Sequence, residues 1–120
     1  METENAYQPE PLTGTSTTTD DATVVAVTGE IDHNSAEPLI QALDPGSLGG
    51  RTRVVIDMRQ VTFMDSSGIN VLLTAHRDLT PVDGWLRLAG VQASVLRTLQ
   101  IVGVDMVIPC YPSLPEALAA

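Results

Sequence analysis

The chain has 120 residues, 43% of them hydrophobic, a single cysteine and a net charge of −9, and its six basic residues are all arginine. A domain of this length buries about two-thirds of its unfolded surface without staples, and the lone Cys110 excludes both an internal disulfide and a multi-cysteine zinc cluster and fits a reducing cytoplasm. The acidity opposes nucleic-acid binding. No apolar run reaches the length of a membrane span, and the opening METENAYQPEP lacks the basic and apolar stretches of a signal peptide.

Residues 1–21 hold five of the acids and no arginine, with few aliphatic side chains. TGTSTTTDD within them reads as a flexible or edge segment, so 1–21 is set apart as an acidic, Thr-rich N-terminal segment from a domain over 22–120. That domain carries ten acids against six arginines and is only mildly negative.

In ATVVAVTGEID the β-branched run Val24, Val25, Val27 stops at Gly29 and predicts a strand. NSAEPLIQAL predicts a helix with Asn34 or Ser35 as N-cap, Glu37 completing a capping box and Pro38 in the first turn. DPGSLGG (44–50) reads as a loop. RVVIDM (53–58) is apolar on both faces and predicts a central strand, with Asp57 in the turn after it. SSGINVLLTAHRDL has helical spacing: Ile69, Leu72, Leu73, His76 and Thr80 share one stripe, and Ser66, Asn70, Thr74 and Arg77 another. GWLRLAG alternates as a third strand, SVLRTLQIVGV is a helix closed by Gly103, DMVIP a short last strand, and SLPEALAA a terminal helix with a Ser113–Glu116 capping box. Strand–helix alternation predicts an α/β fold, a mainly parallel sheet with crossover helices, whose functional edge is at the carboxyl ends of the strands.

FMDSSGIN (63–70) lies at that edge. Asp65 or Ser66 would cap the following helix, a contribution of about 1 kcal/mol. A cap alone does not account for Gly68, because glycine weakens a first helical turn by up to about 1 kcal/mol relative to alanine. Its advantage there would be an open surface for another chain. Nucleophilic catalysis needs an adjacent base. His76 is nearly three turns along the helix, His33 ends a neighbouring strand, and no nucleophile elbow surrounds the serines, so no catalytic residue is assigned. Phosphoacceptance is the third use. A serine at a helix N-terminus is accessible, free amides there favour an anion, and a phosphate would add about −1.5 to −2 charges beside Asp65 and Asp32.

VVIDMRQVTFMDSSGINVLL resembles the signature of the anti-sigma factor antagonists, small stand-alone STAS domains of bacterial partner-switching systems, and VTGEIDHNSAEPL resembles their first strand and helix entry. The resemblance covers about residues 23–118. It implies a STAS-like sheet of four or five strands, and a serine phosphorylated by an anti-sigma factor that doubles as an ATP-using kinase. That acceptor is here Ser66, the first serine after the aspartate. The unphosphorylated antagonist would bind the anti-sigma factor and free a sigma factor, and a PP2C-type serine phosphatase would reset the switch. Asp32, Asp65, Ser67, Gly68 and Asn70 would join Ser66 on the docking surface. The expectation is a cytoplasmic binding module, not an enzyme, with no cofactor, no metal site and neither nucleic acid nor membrane as partner. The helix at 94 opens VQAS, where the family often has serine-proline.

Two alternatives accompany this expectation. The chain could be the STAS subunit of a lipid-transport complex or a stress assembly. It could also be a two-component receiver phosphorylated on Asp57, but that chemistry requires an acidic pair after the first strand and a late lysine, and the chain has no lysine. Asp32 and Asp65 lack a third oxygen ligand for a cation, and Cys110 reads as a packed small side chain.

Overall fold

The computed structural model describes residues 13–18 and 22–120. Five strands form one sheet in the order β1 (Thr13–Thr18), β2 (Thr23–Ile31), β3 (Arg53–Met64), β4 (Trp85–Ala89), β5 (Cys110–Tyr111). β1 is antiparallel to β2, and the other pairings are parallel. The expected mainly parallel α/β sheet is therefore present with five strands, and RVVIDM opens its central strand. Of the two readings of the Thr-rich segment, the edge strand is realised over 13–18. The rest of that segment lies outside the described residues.

Helices α1 (Glu37–Ala42), α3 (Ser66–Leu79) and α4 (Ala93–Ile101) cover one sheet face. The main core there joins Val25, Ile31 and Ile56 of the sheet to Leu39, Leu72 and Leu99 of those helices. Each of these six side chains is essentially fully buried, and truncating such a residue to alanine costs about 2–5 kcal/mol. The short α5 (Leu114–Ala119) lies on the other face, where Ala117 packs with Val55 and Ala89.

Several local expectations are corrected. α1 is capped at Ala36 with no side-chain bond, not at Asn34 or Ser35, because the Ser35 hydroxyl is already committed to the turn before it. The 44–50 loop contains a one-turn helix, α2 (Pro45–Leu48), preceded by the Asp44 carboxylate accepting from the Gly46 amide at 2.9 Å. β3 does not stop at Met58. It runs to Met64 through two register shifts against β2, so its alternation breaks twice and Arg59 and Gln60 fall within the strand. Asp57 accordingly sits inside β3, not in a turn. DMVIP is not a strand: Val104–Met106 is a 3-10 turn and the Ile108 amide returns to the Val104 carbonyl, leaving only Cys110–Tyr111 to pair with β4. Val104 and Ile108 both anchor in the core, and the amides of Met106, Val107 and Ile108 bond back to Gly103 and Val104, so they are not free to pair with β4.

Candidate functional site

The carboxyl ends of β2 and β3 lie side by side, since Ile31 and Met64 are register partners. The Asp65 amide donates to the Ile31 carbonyl at 3.1 Å and holds the two exits together. Asp32, following Ile31, and Ser66, following Asp65, therefore belong to one surface.

Asp65 is the N-cap of α3. Its Oδ1 accepts from the amides of Ser67 at 2.8 Å and Gly68 at 3.4 Å, and its carbonyl accepts from Ile69. Ser66 is the first helical residue, exposed, and its hydroxyl makes no hydrogen bond among the described residues. Ser67 is half-buried and Asn70, one turn on, is exposed. The amides expected to be free for an anion are thus partly occupied by the cap: Ser67 and Gly68 donate to Asp65. A negative group on Ser66 would stand outside an acidic cap instead of nesting in open amides.

Asp32 organises a tight turn. Its Oδ1 accepts from the amides of Asn34 at 2.9 Å and Ser35 at 3.0 Å and lies 2.8 Å from Ser35 Oγ. That hydroxyl also reaches the Glu30 carbonyl at 2.7 Å and accepts from the Asp32 amide. The Ser35 hydroxyl bond, then the Asn34 amide, hold the Asp32 carboxyl below its ordinary pKa; slight burial opposes them, and the Ser35 amide and neighbouring His33 add to the lowering. The surface around Ser66 is therefore fixed in shape and carries the Asp32 charge at neutral pH.

Gly68 is the exception among the expected docking residues. It is buried, and a Cβ there would lie 2.7 Å from Ile31 Cγ2 and 2.7 Å from Met64 Cγ. The residue is glycine because α3 presses against the ends of β2 and β3, not because a partner needs its surface. Asp32, Asp65, Ser66, Ser67 and Asn70 remain reachable in whole or part.

Among the described residues no side-chain base bonds to Ser66. His76 is half-buried with its Nδ1 unpartnered, and His33 is exposed. Among the described residues no group of three His, Cys, Asp or Glu side chains could hold a metal, and no helix is long and apolar enough to cross a membrane. Cys110 is half-packed, its thiol pKa raised by burial and then by Asp105.

Two features escape sequence inspection. Asp57 is buried and grips Arg59 in a fork, with Nη2 to Oδ2 at 2.8 Å and Nε to Oδ1 at 3.0 Å. Such a carboxylate does not offer the open acidic pocket of a receiver. Aspartate and arginine two apart on a strand were the available signal. The second is a groove between α1 and α3 of about 300 Å³, floored by Leu43, Val71 and Ala75. Helical periodicity marks each wall but not their separation.

The family model described as the STAS domain matches residues 15–117. An anti-sigma F factor antagonist of Paenibacillus polymyxa is 26% identical over 96 residues, covering 79% of this chain and 82% of that protein. An anti-sigma-B factor antagonist of Listeria monocytogenes is 30% identical over 84 residues, covering 70% and 74%. The crystal structure of an anti-sigma factor antagonist from Mycobacterium paratuberculosis superposes with a TM-score of 0.81 at 30% identity, covering 90% of this chain and 92% of that one.

Proposed function

The chain belongs to the STAS domain family, among relatives that are anti-sigma factor antagonists, and from that premise we propose that its unphosphorylated form binds an anti-sigma factor and releases a sigma factor, until phosphorylation of Ser66 ends the binding. The anti-sigma factor is itself the ATP-using serine kinase, and a PP2C-type serine phosphatase restores the hydroxyl. The chain acts in the cytoplasm as a binding module, with Asp32, Asp65, Ser66, Ser67 and Asn70 on the contact surface.

One observation carries the proposal. Ser66 is exposed at the first position of α3, its hydroxyl without a hydrogen bond among the described residues, while Asp65 occupies the Ser67 and Gly68 amides that would otherwise help neutralise an anion there. A phosphate therefore presents its charge of about −1.5 to −2 outward, next to Asp65 and the ionised Asp32. A partner seated closely on this surface must either desolvate the added charge or withdraw. Loss of about 1.4 kcal/mol in that contact already weakens binding tenfold. The helix itself tolerates the modification, because negative charge suits its N-terminus.

The test is incubation with candidate cognate kinases and ATP, followed by phosphopeptide mapping and binding measurements. Ser66→Ala abolishes labelling and keeps partner binding, and Ser66→Asp or Ser66→Glu weakens binding. Labelling that survives in Ser66→Ala refutes the site. Copurification with a transporter ATPase in place of a kinase would identify the chain as a subunit of another STAS assembly.

A further inference from the structure

The groove between α1 and α3 starts one turn beyond the phosphoacceptor. Asn70 and Thr74, on its α3 wall, follow Ser66 at intervals of four residues and share its helix face. At 1.5 Å per residue the wall from Asn70 to Asp78 is about 12 Å long. A chain that reaches Ser66 along this helix must pass over the groove. The opposite wall offers Ile40, a large aliphatic side chain left 45% exposed.

The far end is acidic. Asp44 and Asp78 flank the apolar floor, and neither forms an ion pair among the described residues, where the pair found is Asp57–Arg59. Arg77 precedes Asp78 but is exposed and does not line the groove. Carboxylates beside an apolar floor repel a fatty acid or a nucleotide phosphate and attract a cation attached to an apolar body. A volume of about 300 Å³ holds a few side chains.

We propose that this groove is a second docking site for the anti-sigma factor kinase, taking a segment that presents aliphatic side chains with an arginine or lysine set against Asp44 and Asp78. The assignment of that partner rests on the function proposed above. Asp78 is twelve residues from Ser66, about 18 Å along the helix, which exceeds the Debye length of about 8 Å at physiological salt. A phosphate on Ser66 therefore leaves the cationic contact almost unchanged. The groove anchors the kinase to its substrate while Ser66 decides whether the near contact closes.

Two measurements test the groove on the full chain. In the first, a synthetic peptide of alternating leucine and arginine is titrated against the 15N-labelled protein, with a leucine–glutamate peptide as control. The leucine–arginine peptide shifts amide resonances of residues 40–44 and 70–78, the control does not, and Asp44→Asn with Asp78→Asn weakens the effect at least fivefold. Shifts confined to other surfaces, such as the exposed Ile101, Val102, Met106 and Val107, or none at all, overturn the site. In the second, the kinase that labels Ser66 is assayed on the same double variant and on Ile40→Lys, with circular dichroism confirming the fold. KM rises about five- to tenfold with kcat unchanged. An unchanged KM in both variants overturns the docking role. Failure of every kinase to label or bind the wild type, with the peptide response intact, faults the proposed function and leaves the cation-selective groove standing.

Discussion

Gly68 of α3 lies directly against Ile31 of β2: a Cβ on the glycine would come within 2.7 Å of Ile31 Cγ2, and the isoleucine is fully buried with nowhere to move. This contact sets how closely the helix that begins with Ser66 approaches the turn that begins with Asp32. Both sides of the proposed switch surface are thereby set by this one close approach.

Two effects compete in Gly68→Ala. Alanine improves helix propensity by up to about 1 kcal/mol. Overpacking against rigid neighbours costs about 1–3 kcal/mol, and Met64 Cγ is equally close on the other side. Overpacking wins, and urea denaturation shows a net loss of roughly 1–2 kcal/mol. A variant as stable as the wild type would mean that α3 lifts freely off the strand ends.

Asp65 separates capping from charge. Asp65→Ala leaves the Ser67 and Gly68 amides without their acceptor and lowers stability by about 1 kcal/mol. Asp65→Asn keeps an acceptor oxygen and stays near wild-type stability in thermal melts, yet removes one negative charge beside Ser66. Once Ser66 is phosphorylated, Asp65→Asn therefore binds the partner more tightly than phosphorylated wild type. Equal affinity of the two phosphorylated forms contradicts a repulsive role for this carboxylate.

What was legible in the chain is what local chemistry decides. A cap at Asp65 or Ser66 and the Ser113–Glu116 box are set within four residues; the cap is Asp65, and Ser113 Oγ accepts from the Glu116 amide. RVVIDM shows its central place because every residue from Val54 to Met58 is buried. The departures depend on partners distant in sequence. The two bulges of β3 exist only against β2. Ser35 looks like a helix cap until Glu30 and Asp32 claim its hydroxyl. Gly68 looks open until Ile31 and Met64 are placed over it, and the α1–α3 groove arises from how two helices seat on one sheet face. Of the candidate site, the serine, its cap and Asp32 were visible in the motif, whereas the orientation of Gly68 and the occupied amides were not.

Asp57 makes stability depend on acid. Burial pushes its pKa up, but the side-chain bonds from Arg59, the Arg59 amide and the arginine's charge together outweigh it, and the net pKa is lowered. A carboxyl with a depressed folded-state pKa contributes stability above its unfolded value of about 3.9 and loses it as pH falls through the folded value. Asp57→Asn therefore melts several degrees below wild type at pH 7, and the gap narrows as the pH drops below about 4. Asp32, also lowered, titrates in the same acid window in both proteins and cancels in the comparison. Parallel melting curves from pH 7 to pH 2.5 would show that the Arg59 fork does not hold the β3 bulge.

Arg87 governs the opposite face of the sheet. Its guanidinium stacks 3.7 Å from the Trp85 ring centroid and 5.9 Å from that of Tyr111, while Nη1 donates to the Ala117 carbonyl of α5 at 2.9 Å. Arg87→Ala removes a cation–π contact of about 0.5–1 kcal/mol and a hydrogen bond of about 0.5–1.5 kcal/mol, so α5 loosens before the sheet does. Trp85 is the only tryptophan, and its emission reports the change directly. The variant shows red-shifted fluorescence and faster amide exchange at residues 116–120. Because α5 packs on the face away from α3, phosphorylation of Ser66 keeps its wild-type rate. A slowed phosphorylation would show that the two faces are coupled through β3, whose Val55 packs beneath Ala117 while Ile56, its neighbour, belongs to the core under α3.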